Sequence, residues 1–159
     1  MEQKMIKYLV LVFLTLSALE AEMPVSSKID VLDRYRYITP FHDEKRIPHD
    51  TRLIIIAFDK KNGQEINNFL KTKDKYYLGL HKSVYISSIN KMPKFFTRAF
   101  VIPKLQKYKH AIYLQLEKSF NDLVPNKKGQ ITVIDVSDRQ VEKVSFISST
   151  KELESIIEQ

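Results

Sequence analysis

The apolar run RLIIIAF spans Arg52–Phe58 and is followed at once by DKKNG over Asp59–Gly63. The run is continuous where a half-buried strand would alternate with polar residues, and this is typical of a central strand covered on both faces. Asn62 then stands three residues before Glu65, a spacing that resembles a capping box, and apolar residues recur at helical intervals from Ile66. The sequence therefore predicts that a buried strand passes directly into a helix.

Further strands and helices are predicted on both sides of this unit. In chain order they are one or two short strands in 29–39, the strand 52–58, a helix from 62, a strand 83–89, a helix from 93, a strand 111–116, a hairpin of 131–136 with 141–147, and a last helix after Ser149. Pro103 should kink or end the second helix near Ile102. Strands that alternate with helices predict an α/β fold, and the closing hairpin makes the sheet mixed.

The start of the chain has the pattern of an export signal. Lys4 and Lys7 precede the apolar run Tyr8–Leu19, and Ala18 and Ala21 provide small residues near its end. We expect a signal peptide at 1–21, cleaved after Ala21 or, as the alternative, after Ala18, and one domain at 22–159. An uncleaved anchor is the competing interpretation.

The 159 residues contain no cysteine. An exported chain has access to disulfides, and this one does not use them. Thiol chemistry and lipoprotein attachment through a cysteine are both excluded for this chain.

The order of elements is similar to that of the thioredoxin-like fold. The segment YITPFHDEKRIPHDTRLIIIAF (37–58) resembles the entry of small exported thioredoxin- and peroxiredoxin-like proteins of bacteria, and ITVIDVSDRQVEKVSFISSTKELESII (131–157) resembles their hairpin and closing helix. The resemblance implies a three-layer sandwich, with a mixed central sheet, an N-terminal β-hairpin extension and a C-terminal helix. It also implies a Gram-negative source and, with the export signal, a periplasmic location.

The same resemblance places the family's reactive cysteines just after the first central strand. Asp59, Lys60, Lys61, Asn62 and Gly63 stand there in this sequence. A helix start activates a thiol by lowering its pKa, but here no thiol is present. The chain therefore resembles a redox-inactive member, and no catalytic residue is inherited. The helix start keeps free N–H groups and nearby lysines, so it is a possible anion site; an ordinary capped helix is the alternative.

Basic residues dominate the middle of the sequence. The formal net charge is +7, and no acidic residue occurs between Asp74 and Glu117. The basic residues of that interval are Lys75, Lys82, Lys91, Lys94, Arg98, Lys104, Lys107 and Lys109. Such a one-sign stretch favours an anionic partner, although a merely solvated lysine-rich surface is the alternative. Within it, the segment Met92–Lys109 interleaves apolar and aromatic residues with basic ones, and we expect its aromatic residues, Phe96 and Phe100 among them, to lie in the core, on a helix that covers the sheet. A basic amphipathic helix on an anionic membrane surface or an acidic partner is the alternative.

Two His-Asp pairs, His42-Asp43 and His49-Asp50, lie in one polar loop. Histidine and carboxylate can hold a divalent ion, but this spacing matches no established ligand pattern, so His42 and His49 are weak candidates and no metal site or cofactor is expected.

Taken together, the sequence predicts a redox-inactive periplasmic binding or adaptor protein. It would present its basic surface to an acidic periplasmic protein or another anionic envelope component, and nucleic acid is not expected as a partner outside the cytoplasm. Two alternatives stay open. One is a small-anion or ligand-binding protein, or a non-thiol enzyme, that uses the helix start; the other is a peripheral binder of anionic envelope lipid.

Overall fold

The computed structural model describes residues 29–159. The predicted signal peptide and its cleavage sites lie outside these residues. In chain order the elements are α1 (Asp30–Asp33), β1 (Tyr37–Ile38), β2 (Glu44–Lys45), β3 (Leu53–Ala57), α2 (Lys60–Lys71), α3 (Tyr77–Leu80), β4 (Ser83–Ser88), α4 (Lys94–Phe96), a π-helical turn (Thr97–Val101), α5 (Ile102–Leu105), β5 (Tyr113–Gln115), α6 (Lys118–Leu123), β6 (Ile131–Ser137), β7 (Gln140–Ile147) and α7 (Thr150–Ile157).

The strands form one seven-stranded sheet in the order β2-β1-β5-β4-β3-β6-β7. β4 pairs in parallel with β3 on one side and with β5 on the other. The remaining pairs are antiparallel, which confirms the predicted mixed sheet with a hairpin at its N-terminal edge.

Both faces of β3 are buried, as its continuous apolar run predicts. Leu53 and Ile55 belong to the core on one face of the sheet, whereas Ile54 and Ile56 belong to the core on the other. Because side chains alternate along a strand, an apolar residue at every position supplies both cores.

Helices cover the two faces unequally, and the result is a three-layer sandwich. Apolar residues of α2, α3, α5 and α7 pack in one core. Leu32 of α1 and Phe120 of α6 pack in the other core, where the Phe120 ring meets the Tyr35 ring edge-on with centroids 5.0 Å apart.

The closing hairpin and the last helix also agree with their predictions. Asp138 and Arg139 form the two-residue turn between β6 and β7 with φ angles of 46° and 64°. Left-handed conformations at both positions match the right-handed twist of the paired strands. Ser149 caps α7 by accepting the N–H of Glu152.

Two local predictions are wrong, and two short helices were not predicted. The segment 29–39 holds the helical turn α1 and a two-residue strand instead of strands alone. The short helices α3 and α6 had no apolar repeat long enough to predict them. Asp59, not Asn62, caps α2: its extended backbone lets a carboxylate oxygen accept the N–H of Asn62 at 2.8 Å.

Pro103 does not end its helix, which continues to Leu105. Proline has no N–H, and its ring clashes with the carbonyl four residues earlier in an α-helix. The chain widens instead into a π-helical turn directly before it, where the N–H of Ile102 reaches the carbonyl of Thr97. The extra residue in this turn shifts which side chains face the sheet.

The aromatic residues of this segment are exposed, although they were expected in the core. Phe95 is 80% exposed and Phe100 is 60% exposed, whereas Ile102 and Leu105 are buried against the sheet. The expectation that the aromatics of this segment lie in the core is therefore wrong for Phe95, Phe96 and Phe100.

Within residues 29–159, no helix has the length and apolar character that crossing a membrane requires.

Candidate functional site

A cavity of about 190 Å³ opens where the parallel strands β3 and β4 end. Ser87, Ser88 and Ile89 line it at the end of β4, and Asp59 and Lys60 line it after β3. The carboxyl ends of parallel strands are the usual place for a ligand in α/β proteins, because the chain leaves the sheet there and opens a crevice. We call this space the apolar cavity.

The walls of the apolar cavity are mainly apolar and come from the segment that contains the π-helical turn. They comprise Ile89, Met92, Phe96, Phe100, Val101, Leu105 and Tyr108. The Phe96 and Phe100 rings lie with centroids 5.3 Å apart. These two rings, which lie outside the core, therefore form part of a cavity wall.

A buried polar layer lies under this cavity. Its residues Asn67 and Ser87 line the cavity, and the Asn67 Oδ1 atom lies 2.8 Å from Nε2 of the buried His110. Burial lowers the pKa of His110 to about 4, so its imidazole is neutral at physiological pH. Burial also raises the pKa of the Tyr85 hydroxyl, which donates to the carbonyl of Gly63 at 3.4 Å.

A second cavity, of about 480 Å³, lies beside the first. Its lining includes the lysines 71, 73, 75, 107 and 109, and a single carboxylate, that of Asp74. We call it the basic hollow. Tyr108 lines both cavities and so separates them.

Lys73 differs from the other lysines of the basic hollow. It forms ion pairs with Glu154 and Glu158 of the C-terminal segment, and its ammonium lies 5.0 Å from the centre of the Tyr77 ring. The hydrogen bond to Glu154 raises the pKa of Lys73. Its charge is thus compensated within the protein, whereas Lys71, Lys75, Lys107 and Lys109 are exposed.

The structure divides the predicted basic surface into parts. Lys75, Lys107 and Lys109 line the basic hollow, and Lys104 lines the apolar cavity. Lys94 and Arg98 are exposed on the helical segment that begins at Lys94, with Lys91 exposed just before it. Lys82 lies elsewhere, in the turn before β4, with its Nζ 4.0 Å from Asp50 Oδ2.

Lys71 and Lys73 were missed by the sequence reasoning. They precede Asp74, which bounded the acid-free interval, and the fold brings them beside 107–109 through the packing of α2 along the sheet. A helix that ends in lysine next to such an interval is the one signal that could have suggested them.

The predicted anion site at the start of α2 is partly occupied by the chain itself. The Asp59 carboxylate accepts the backbone N–H of Asn62 at 2.8 Å and its side-chain Nδ2 at 2.7 Å. Lys61 points to Glu65, 3.9 Å away, while Lys60 and Gly63 line the apolar cavity. The N–H of Asn62 is therefore already paired, and Lys60 is the lysine of this segment that faces the apolar cavity.

The candidate metal ligands lie apart from both cavities. His42 is exposed in a left-handed conformation at the β1–β2 turn, and His49 lines a separate hollow with Arg46 and Arg139. Over the described residues 29–159, no three His, Cys, Asp or Glu side chains are grouped in a way that could hold a metal ion.

No protein-family model matches the chain, and no curated protein matches it in sequence. Several solved structures match its fold. Peroxiredoxin Q of Xanthomonas campestris aligns with a TM-score of 0.52 and 10% identity over 84% of this chain and 94% of that chain. A putative protein disulfide isomerase of Bacteroides thetaiotaomicron aligns with a TM-score of 0.52 and 11% identity over 79% of this chain and 82% of that chain. A peroxiredoxin-like protein of Aquifex aeolicus aligns with a TM-score of 0.50 and 12% identity over 86% of this chain and 87% of that chain.

The chain therefore has the thioredoxin-like fold, as the resemblance in its sequence implied. At these identities the likeness extends to the fold alone. The 159 residues hold no thiol, so this chain cannot supply the sulfur that thiol-disulfide exchange or thiol peroxidase chemistry requires.

Proposed function

We propose that this protein is a redox-inactive, periplasmic binding or adaptor protein that holds an acidic partner protein at its basic hollow. The observation that carries the proposal is the grouping of Lys71, Lys75, Lys107 and Lys109 around one concave surface with a single carboxylate, Asp74. The absence of cysteine supports binding over the thiol chemistry that the fold otherwise hosts.

The grouped lysines of the basic hollow should make binding of an acidic partner depend on salt. Four exposed ammonium groups around one concavity repel each other, and an acidic partner relieves that repulsion while gaining attraction of its own. Exposed charges interact over about 10 Å at 0.1 M salt but only about 3 Å at 1 M. Binding at the basic hollow should therefore be strong at low salt and largely lost at high salt.

Charge reversal at the hollow tests the proposal. The variant K71E/K75E/K107E/K109E is compared with K45E/K118E/K128E/K143E, whose four lysines are exposed and lie outside the basic hollow. Both variants have the same formal charge, so they separate a local effect from that of net charge. Circular dichroism and thermal unfolding verify that both keep the fold.

The proposal expects the first variant to lose capture of an acidic protein from an envelope extract at low salt, and the control to retain most of it. Equal losses in the two variants would show that net charge, not the hollow, governs binding. Unchanged capture by the first variant would overturn the proposal. Binding of the purified protein to anionic vesicles, with no other protein present, would instead favour the lipid-binding alternative.

A further inference from the structure

The apolar cavity has the size of a single ring-shaped group. Its volume is about 190 Å³. A dry apolar cavity of roughly 150 Å³ in another protein binds benzene, so this one has room for such a ring and a small substituent. Met92, Phe100 and Leu105 supply walls of the kind that hold an apolar body.

The polar residues of the cavity floor are already paired within the protein. Ser88 Oγ donates to Asn121 Oδ1 at 2.7 Å, and the Asn67 Oδ1 atom lies 2.8 Å from His110 Nε2. A ligand is not needed to satisfy Ser88 Oγ or Asn67 Oδ1. Within residues 29–159 the buried side-chain atom without a hydrogen-bond partner is Asn121 Nδ2, and Asn121 does not line the cavity.

The cavity rim carries a net positive charge. Lys60 and Lys104 are exposed lining residues, and within the described part of the chain neither forms an ion pair with a carboxylate. Asp59 also lies at the rim, where its carboxylate oxygens accept hydrogen bonds from Asn62; these neutral donors leave its charge in place, so the two lysines and Asp59 together give the rim a net charge of +1. An apolar interior with a cationic rim suits a molecule that is apolar at one end and anionic at the other.

We propose that the apolar cavity binds a small organic carboxylate with one ring-sized apolar body. The ring would lie between the side chains of the 92–105 segment and the floor, and the carboxylate would remain at the rim beside Lys60 and Lys104. This site is separate from the basic hollow and needs no protein partner, so it goes beyond the proposed adaptor function.

The test uses three probes on protein purified from cells that express the full chain. Phenylacetate carries the ring and the charge, phenylacetamide carries the ring without the charge, and acetate carries the charge without the ring. Each is titrated at low salt into ¹⁵N-labelled protein, and saturable shifts of amide resonances are followed by NMR. We expect phenylacetate to bind about tenfold more tightly than phenylacetamide, a difference of about 1.4 kcal/mol, and acetate to produce no saturation.

Rim variants assign the charge to named residues. K60Q/K104Q should reduce the affinity for phenylacetate to that for phenylacetamide, whereas the control K61Q/K91Q, which removes two exposed lysines outside the cavity lining, should leave it unchanged. All four positions are exposed, so neither double variant should disturb the fold.

Several outcomes would overturn the inference. They are failure of phenylacetate to saturate any resonance, equal affinity for phenylacetate and phenylacetamide, or resonance shifts confined to residues outside the apolar cavity. Equal losses in K60Q/K104Q and K61Q/K91Q would also contradict it, because binding would then follow net charge. None of these results depends on whether the basic hollow captures an acidic protein.

Discussion

His110 should make the stability of this protein fall as the pH is lowered. Its side chain is 7% exposed, and burial lowers its pKa to about 4 from the usual 6.5. The unfolded chain therefore takes up a proton at a higher pH than the folded protein does. The contribution of neutral His110 to stability is complete above about pH 6.5 and is lost progressively as the pH falls toward 4.

The size of this effect follows from the pKa difference. A shift from 6.5 to about 4 corresponds to about 3 kcal/mol, since one pKa unit is worth about 1.4 kcal/mol. His110→Gln removes the titration, and its amide can still donate a hydrogen bond to Asn67 Oδ1. The difference between the two proteins isolates His110, because all other titrating groups are shared.

Urea unfolding across this pH range measures the effect directly. Between about pH 7 and pH 4, the free energy of unfolding should fall by about 3 kcal/mol more in the parent protein than in His110→Gln. Parallel pH profiles for the two proteins would refute the reasoning. An NMR titration of the His110 ring gives an independent check, and a pKa near 6.5 there would also refute it.

Two further predictions concern the start of α2. Gly63→Ala should raise the free energy of unfolding by about 0.5–1 kcal/mol, because alanine favours a helix interior. The added Cβ would meet only ordinary contacts, the nearest being the Tyr85 hydroxyl oxygen at 3.6 Å. Thermal or urea unfolding measures the change, and a loss of stability would contradict the prediction. Asp59→Ala should cost about 2 kcal/mol, because it removes the cap and leaves the buried Asn62 amide without a partner. Removal of the exposed α7 cap by Ser149→Ala should cost about 1 kcal/mol or less, and equal costs at the two caps would contradict the role given to Asn62.

The parts of the fold that were predicted from sequence are those whose patterns are local. The apolar run of β3 and the paired runs of β6 and β7 each specify their structure within a few residues. Short elements such as α1 and α6 contain too few residues for a helical repeat, and packing on the sheet determines their conformation. The alternation in 29–39 therefore indicated strands where the chain forms a helical turn.

The candidate sites were predicted less completely, for a different reason. Lys75, Lys107 and Lys109 were identified from the acid-free interval, but their grouping with Lys71 depends on how α2 packs beside the segment 107–109. Phe96 and Phe100 were expected in the core but line the apolar cavity, in a segment where the π-helical turn adds one residue and so makes a one-residue shift. A helical periodicity of 3.6 residues cannot anticipate that one-residue shift.

Mild cross-linking in the native envelope tests the proposed function most directly. Cross-linking is carried out at low and at high salt, and the protein is then captured with whatever is linked to it. The parent protein is compared with K71E/K75E/K107E/K109E and with the control K45E/K118E/K128E/K143E. The proposal expects one acidic protein in stoichiometric amount, retained by the control and lost both at high salt and in the first variant. Recovery of no protein partner, or of the same partner with the first variant at low salt, would contradict the assignment of the basic hollow as the binding site.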